Sequence, residues 1–535
     1  MHRFENRDIR AFLSVDRRDF LRALGLGAGF VLTDSAVSRH AWANPVFKAD
    51  PFSLGVASGD PSTDGFVLWT KLAPEPLAPH SGMPSRPVEV KWEISTEETL
   101  GTILQAGTAM ARPQLGHSVH VEIGGLEPGR AYFYRFEAGG VRSPVGRAKT
   151  FPAPGSMAPL RFASAGCQWY EEGYFTAWRR IAEERLDFVA HYGDYIYEYK
   201  GRTPGGTRDV PVVRELPGSP GKCLTLADYR HRYAIYKLDP DLQAAHASTP
   251  FLVSFDDHEV ENNWAGFESE YQGVTRGEFA LRRAAAFQAW YEHMPLRAAQ
   301  MPRGPDVLAY RRFRIGGLVQ LDMLDTRQYR DPQPCGDGWK TCAEAKAARR
   351  TMLGKTQEDW LYAGFRESRA RWNLLAQQVP MMRLDRDPDP AITETHMDKW
   401  DGAEAARARL FDAAQGARLA NLVVLSGDVH HHRAAELKAD FDNPASKTAG
   451  VEFVATSIAS AGDGSDRPKT SPALLSANPH MKFFNAQRGY VRHQVSPDRW
   501  QADFQVLDKV SVKGAPIRTR ASFVVENGKA ELNRA

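Results

Sequence analysis

Cysteine is scarce in this chain, with 4 in 535 residues, so stability must come from a hydrophobic core rather than a disulfide framework. An excess of either charge is missing too. The 68 Lys and Arg nearly balance the 65 Asp and Glu, which leaves no basic footprint for nucleic acid or anionic lipid. No internal repeat is apparent. Beyond residue 43 there is no apolar run long enough to span a bilayer, which argues against a stable membrane span. What remains is long enough for a large core and more than one domain.

Residues 1–43 read as an export signal. Asp16-Arg17-Arg18-Asp19-Phe20-Leu21-Arg22 precedes the short, Gly-rich apolar stretch 23–32, and Ala41-Trp42-Ala43 offers a small-x-small cleavage site. The paired arginines resemble the twin-arginine class, whose translocon (Tat) exports folded proteins. The expected location is therefore periplasmic or secreted, with a Sec signal or a retained anchor as the plainer reading. Gly25-Leu26-Gly27-Ala28-Gly29 imitates a dinucleotide loop, but no strand precedes it and it falls within the leader.

Two regions follow. Residues 44–155 read as all-β, from the alternating or β-rich stretches 88–94, 117–123 and 131–136 and the turn cluster 124–129. The stretch 125–134 resembles a strand–turn–strand corner of a fibronectin type III sandwich, and Pro152-Ala153-Pro154-Gly155 reads as the linker. In residues 156–535, strands alternate with helical spacing at 175–185, 277–292 and 403–414, which predicts an α/β sheet sandwich with helices outside. Cys335 and Cys342 flank a short loop that an oxidising compartment would allow to close, although four cysteines permit three connectivities.

Five apolar runs end in side chains of metal-ligand type. Run 160–165 leads into Gly166-Cys167-Gln168, and 186–192 into Gly193-Asp194-Tyr195-Ile196-Tyr197. Run 250–255 leads into Asp256-Asp257-His258-Glu259, and 318–324 into Asp325-Thr326-Arg327. Run 421–426 leads into Gly427-Asp428-Val429-His430-His431-His432. Short apolar runs bounded by turns read as buried strands. Ligands of open α/β sheets bind beyond the carboxyl ends of such strands, so the endings are expected to converge on a multinuclear metal site.

The chemistry of the endings supports that. Asp194 and Tyr197 can meet one ion from a single turn, and a hard, donating phenolate suggests ferric iron. Asp257 beside His258 could bind a metal and place a proton donor. Asp428 and His430 lie two apart on an extended segment and share a face. Two ions about 3.5–4 Å apart would clamp a phosphoryl group and activate water. A lone Gly-Asp or His-His pair is common, and His191, Tyr195 and Tyr199 read as packing. The specificity lies in the ordered set.

That set, with Gly193–Glu198, Asp256–Trp264, Leu324–Arg330, Gly427–His430 and the early stretches 52–61 and 67–70, resembles the PhoD-type alkaline phosphatases. The resemblance implies a secreted hydrolase of phosphate monoesters and diesters that uses Fe3+ and Ca2+. It also implies an α+β chain: an N-terminal fibronectin-III-like β-sandwich, then a four-layer αββα metallophosphoesterase domain similar to purple acid phosphatases. By position, Asp194 would bridge the metals, Tyr197 and His430 would bind iron, and Cys167 would add a thiolate on the iron side. Asp257 and Asp428 replace amide and imidazole ligands with carboxylate, which suits Ca2+. His258 would protonate the leaving oxygen or steady the transition state. Arg327 would clamp phosphate or hold a structural ion pair. Asn262 or Asn263 would give an oxygen to calcium or a contact to phosphate, and Asp325 is a further candidate site residue. One departure is Asp398-Lys399-Trp400-Asp401-Gly402, followed here by Ala403 where the family often has Tyr.

The implied mechanism is in-line attack by a metal-bound hydroxide, with no phosphoenzyme. A phosphodiesterase or phospholipase D-like activity on the same centre is the nearest alternative, to be decided by the loops at 201–221, 331–343 and 462–485. An extracellular binding or adhesion protein is the other class considered.

Overall fold

The computed structural model describes residues 46–199, 207–208, 221–389, 391–443 and 445–535. The export signal and most of the 201–221 loop lie outside the described residues.

Two mixed sheets form the body. The ten-stranded sheet runs, edge to edge, Asn533–Arg534, Ile517–Glu526, Arg499–Leu507, Gly489–Val495, Leu160–Ala165, Phe188–His191, Phe251–Val253, Val56–Gly59, Phe66–Lys71 and Ser118–Ile123. The eight-stranded sheet runs Arg311–Ile315, Val319–Met323, Trp372–Ala376, Leu422–Ser426, Thr448–Val454, His432–Lys438, Met481–Gln487 and Gly464–Ser465. The strands that lead into the polar endings are parallel neighbours: Leu160–Ala165 with Phe188–His191 and then Phe251–Val253 in one sheet. In the other, Val319–Met323, Trp372–Ala376, Leu422–Ser426 and Thr448–Val454 run parallel in turn. Their carboxyl ends therefore share one side of the molecule.

Period-two alternation sorts these strands into layers. Phe162, Phe188, Leu252, Phe504 and Val491 face Leu321, Leu374, Val423, Leu425 and Phe453 in one core between the sheets. The intervening Ala163, Val189, Phe251 and Val253 turn outward onto Trp178, Ile181, Tyr233, Phe287 and Trp290, carried mainly by helices Thr176–Glu183, Leu226–Lys237 and Arg276–His293. On the far side Leu375, Leu422 and Val424 meet Leu361, Phe365, Leu410 and Phe411 of helices Gly354–Glu367 and Glu404–Gly416. The order is helix, sheet, sheet, helix. Helix starts follow local chemistry: Thr225 with Asp228 and Thr275 with Glu278 form capping boxes, and Asp239 caps a helix that begins at Pro240.

Near the N-terminus, Gln105–Ala111, Val88–Ser95, Ala131–Ala138 and Val141–Arg142 form a further sheet, with Gly146–Lys149 beside Ala131–Ala138. Val90, Ile94, Tyr134 and Phe136 pack on Phe66, Leu68, Val119 and Ile123. Those last residues belong to strands of the ten-stranded sheet, which Val56–Gly59 joins through the parallel pair Gly59 and Phe251. A Cβ on Gly59 would lie 2.2 Å from the Pro295 carbonyl oxygen, so the close approach needs glycine. The N-terminal strands thus continue a sheet that carries site loops.

Cys335 and Cys342 are disulfide-bonded, while Cys167 and Cys223 are buried free thiols. No helix among the described residues is long and apolar enough to cross a membrane.

The inter-sheet core is the main support of the site above it. Phe162 stacks on Phe188 at 4.5 Å and meets Trp500 edge-on at 5.7 Å. Phe162→Ala is expected to cost about 3–5 kcal/mol, read as a lower denaturant midpoint.

Candidate metal centre

Each polar ending leaves its strand through a tight turn. Cys167, Asp194, Asp428 and His430 all have left-handed backbones, with φ of 54, 55, 67 and 55°. Non-glycine residues there cost on the order of 1 kcal/mol or more each, and such strain clusters at functional sites. Tyr192 explains the neighbouring glycines. A Cβ on Gly166 would sit 2.4 Å from the Tyr192 ring, and one on Gly427 would sit 2.0 Å from it. The ring is held by its hydroxyl, which donates to the Thr456 carbonyl at 2.7 Å. One aromatic side chain thus lies against the turns before Cys167 and Asp428, one from each sheet.

The turns are also tied to each other. The Cys167 N–H donates to Gly193 O at 3.2 Å and Gln168 N–H to Asp194 O at 3.0 Å. The buried Glu259 carboxylate accepts the N–H groups of Asp194, Tyr195 and Asp256 at 3.0, 2.6 and 2.8 Å. It clamps two strand endings together. Burial pushes its pKa up to about 7 against those three bonds.

The ligand-type atoms fall into three overlapping groups, each with atoms within 4.8 Å of one another: Cys167, Asp194 and His430; Asp194, Asp257 and His258; Asp256, Asp257 and Asp428. Asp194 and Asp257 are shared, so the groups form one chain of donors. Tyr197 joins the first. Its hydroxyl donates to Asp194 Oδ2 at 3.0 Å and lies 3.0 Å from His430 Nε2. The Trp169 indole stacks on its ring at 4.8 Å, and Ser460 Oγ donates to its hydroxyl at 2.8 Å.

The electrostatics are dominated by crowded acids. Burial, with Asp257, Asp256 and Glu259 nearby, pushes Asp194 well above the carboxylate range, although His258 opposes it. Burial and Asp194 likewise push up the Cys167 thiol and the Tyr197 phenol, and burial keeps the His430 imidazole neutral. Buried Asp194 Oδ1, Asp256 Oδ2 and Asp257 Oδ1 have no hydrogen-bond partner. Asp257 Oδ1 has the Arg327 guanidinium at 3.4 Å, but Asp194 Oδ1 and Asp256 Oδ2 stay uncompensated, which is costly inside a protein and is relieved by a cation. The donors present therefore fit metal ions.

Protein cations hold the acids on one side. The fully buried Arg327 reaches Asp256 at 2.5 Å, Asp398 at 3.0 Å, Asp428 at 2.8 Å and Asp257 at 3.4 Å. Its fork is thus committed to carboxylates. Lys399 bridges Asp398 and Asp428. Burial opposes ionisation of Asp257, but Arg327 and His258 overcome it and hold its pKa below the ordinary value. His258 Nδ1 lies 2.7 Å from Glu198. Burial opposes its charge too, yet Glu198, Asp257 and Asp194 hold the imidazolium well above its ordinary pKa.

Cys167, Asp194, Tyr197, Asp257, His258, Asp428 and His430 are brought together, while three candidates stand aside. Asp325 accepts the N–H groups of Arg327 and Gln328 at 3.0 and 2.9 Å, capping its own turn. Asn262 donates to Glu198 and Glu270, and Asn263 gives its N–H to Asp257 Oδ2 at 2.8 Å and its amide to Asp337. Sequence reasoning passed over Asp256, Glu198, Glu259, Asp398 and Lys399. Asp256, Glu198 and Glu259 sit inside the quoted motifs, beside residues that were chosen. Asp398 and Lys399 carried no signal but the Asp398–Gly402 stretch.

The contact between Gly427 and Tyr192 admits a direct test. Gly427→Ala should cost about 1–3 kcal/mol by overpacking and displace Asp428. Metal content should fall with the melting temperature, and retention of both would remove Tyr192 as the support.

Known proteins resemble this chain over most of its length. The sequence model of the PhoD-like phosphatase family matches residues 162–504, and that of the PhoD-like phosphatase N-terminal domain matches residues 38–152. Alkaline phosphatase D of Bacillus subtilis (strain 168) is 46% identical over 526 residues, covering 97% of this chain and 89% of that protein. The solved structure of PhoD has a TM-score of 0.87 at 47% identity, covering 92% of this chain and 93% of the other. A purple acid phosphatase from yellow lupin (Lupinus luteus) seeds has a TM-score of 0.54 at 13% identity, covering 90% and 75%. At that identity the likeness speaks to the fold alone. The chain belongs to the PhoD-like phosphatase family.

Proposed function

We propose that this chain is an exported, metal-dependent phosphoric ester hydrolase of the alkaline phosphatase D type. Residues 44–155 would be its sandwich domain and 156–535 its catalytic domain. The single observation that carries the reading is the chain of three donor groups joined through Asp194 and Asp257. Cys167, Tyr197 and His430 would hold a ferric ion with Asp194. The all-oxygen set of Asp256, Asp257 and Asp428 would suit calcium. When bound, the ions supply Lewis acidity toward phosphoryl oxygens and an activated water for in-line attack.

The protein's own groups divide the remaining work. His258, held as an imidazolium by Glu198 at 2.7 Å, donates a proton to the leaving oxygen. Its ring lies 4.2 Å from that of Tyr197, which orients it beside the donors. Arg327 holds Asp257 and Asp398 ionised and, with Lys399, keeps the neighbouring Asp256 and Asp428 in place, so Arg327 acts on the carboxylates rather than as a phosphate clamp. Export through the twin-arginine route fits a site that would be assembled before passage.

Replacement of His258 by Ala should lower kcat by roughly 10²–10⁴-fold on an alkyl phosphate. It should act far less on a nitrophenyl ester, whose leaving group needs no proton; equal losses on both would remove the proton-donor role. Tyr197→Phe should abolish the visible absorption of an iron–phenolate pair and leave calcium binding intact. A parent that holds no iron by metal analysis would overturn the iron assignment. The ratio of kcat/KM for a nitrophenyl phosphate monoester to that for its bis-nitrophenyl diester separates phosphatase from phosphodiesterase, since the first requires a ratio above one.

A further inference from the structure

The disulfide-closed segment 335–342 lies outside the donor groups, but it is bonded to both arms that carry the calcium-type carboxylates. On one side, Asp337 Oδ2 accepts from Asn263 Nδ2 at 2.6 Å. Asn263 has a left-handed backbone, φ 49°, and its N–H caps Asp257 Oδ2 at 2.8 Å. Its carbonyl accepts from Gln333 at 2.7 Å and Arg330 at 3.1 Å, so the residue is gripped at several points.

On the other side, the Met397 N–H donates to Gly338 O at 2.9 Å. Trp339 and Lys340 pair antiparallel with His396 and Thr395, and the Trp339 ring meets His396 edge-on at 5.3 Å. The next residues are Asp398 and Lys399, and Lys399 grips Asp428. Asp257 and Asp428 belong to one donor group. A single short loop therefore links the supports of two carboxylates that come from different sheets.

Thr341 donates to the Thr393 carbonyl at 2.8 Å and Arg386 lies over the Trp339 ring at 5.0 Å, but the turn around Gly336 and Gly338 is open. Gly336 and Gly338 have φ of 81 and 87°, and a Cβ on either would meet nothing within 4 Å. Such a segment is costly to order by packing alone, whereas a covalent closure removes much of its conformational freedom.

We propose that the Cys335–Cys342 loop is a brace that sets the spacing of Asp257 and Asp428 for a divalent cation, with Asp337 as its positioning residue. This rests on the metal reading above. The brace acts through Asn263 and the 395–399 segment and touches no reacting atom. Outer partners of metal ligands typically contribute a tenfold to hundredfold share of metal affinity.

Calcium titration of the full-length, iron-loaded protein by calorimetry tests this. Asp337→Ala and the double variant Cys335→Ser/Cys342→Ser should each weaken the calcium Kd by about tenfold. Asp337→Asn, which keeps an acceptor oxygen for Asn263, should restore it. The visible iron absorption should stay the same in all three, since Cys167, Tyr197 and His430 are not bonded to the loop. Unchanged calcium affinity in Asp337→Ala would overturn the brace while leaving the metal centre standing. Equal loss in Asp337→Asn, or loss of iron together with calcium, would reduce the loop to general stability and overturn it too. A parent that takes up no calcium would sink the metal reading itself, and the brace with it. If the cysteine variant fails to fold, the pair of Asp337 variants decides.

Discussion

Arg327 places one guanidinium against Asp256, Asp257, Asp398 and Asp428 with no exposure to solvent. Most of the site depends on that arrangement. Four carboxylates at such range would repel one another without it, and a buried charge left unpaired costs several kcal/mol. The arginine is itself held from both ends of the acid wall, since Arg330 and Lys399 share Asp398 with it. Removing any one member would strand the others, so the wall behaves as a unit rather than as a set of separate ion pairs.

The sheets deliver the acids to that unit. Parallel strands put the carboxyl ends of both sheets on one side, and the inter-sheet core fixes the distance between them. Tyr192 then reads out that distance at the floor of the site, because its ring allows only glycine at positions 166 and 427. The left-handed backbones of Cys167, Asp194, Asp428 and His430 follow from the need to aim side chains sideways off strand ends. This strain is borne by the four-layer core, which explains how such residues can lie just past the ends of well-packed strands.

Much of this was legible in the sequence, and the division between what was and was not has a physical cause. The strand endings are local patterns, an apolar run and then a polar turn, so Cys167, Asp194, Tyr197, Asp257, His258, Asp428 and His430 could be picked out before their meeting was visible. Helix Arg276–His293 was expected at 277–292, because its apolar spacing lies within the segment itself. Partners that act across the chain left no such trace. Glu259 looks like any acid after a strand, and only the fold shows its carboxylate stapling three N–H groups of two turns. The contact of Arg327 with Asp398 spans 71 residues, and that of Gly59 with Phe251 joins regions that composition separates at a Pro-rich linker.

The balance of charge also bears on how the centre works. Asp194, Asp256, Asp257, Asp398 and Asp428 outnumber Arg327, Arg330 and Lys399, and the surplus acid gathers around Asp194, the residue these cations do not reach. Cys167 and Tyr197, beside it, are held in their neutral forms by burial and by that same carboxylate. A cation entering there would reverse the local field and draw protons from both. The two halves of the site thus solve the same problem in different ways. Around Asp257 and Asp398 the protein supplies its own positive charge and keeps the acids ionised. Around Asp194 the His258 imidazolium opposes burial only in part, which leaves Asp194, Cys167 and Tyr197 as neutral donors that a bound metal would turn into strong ligands.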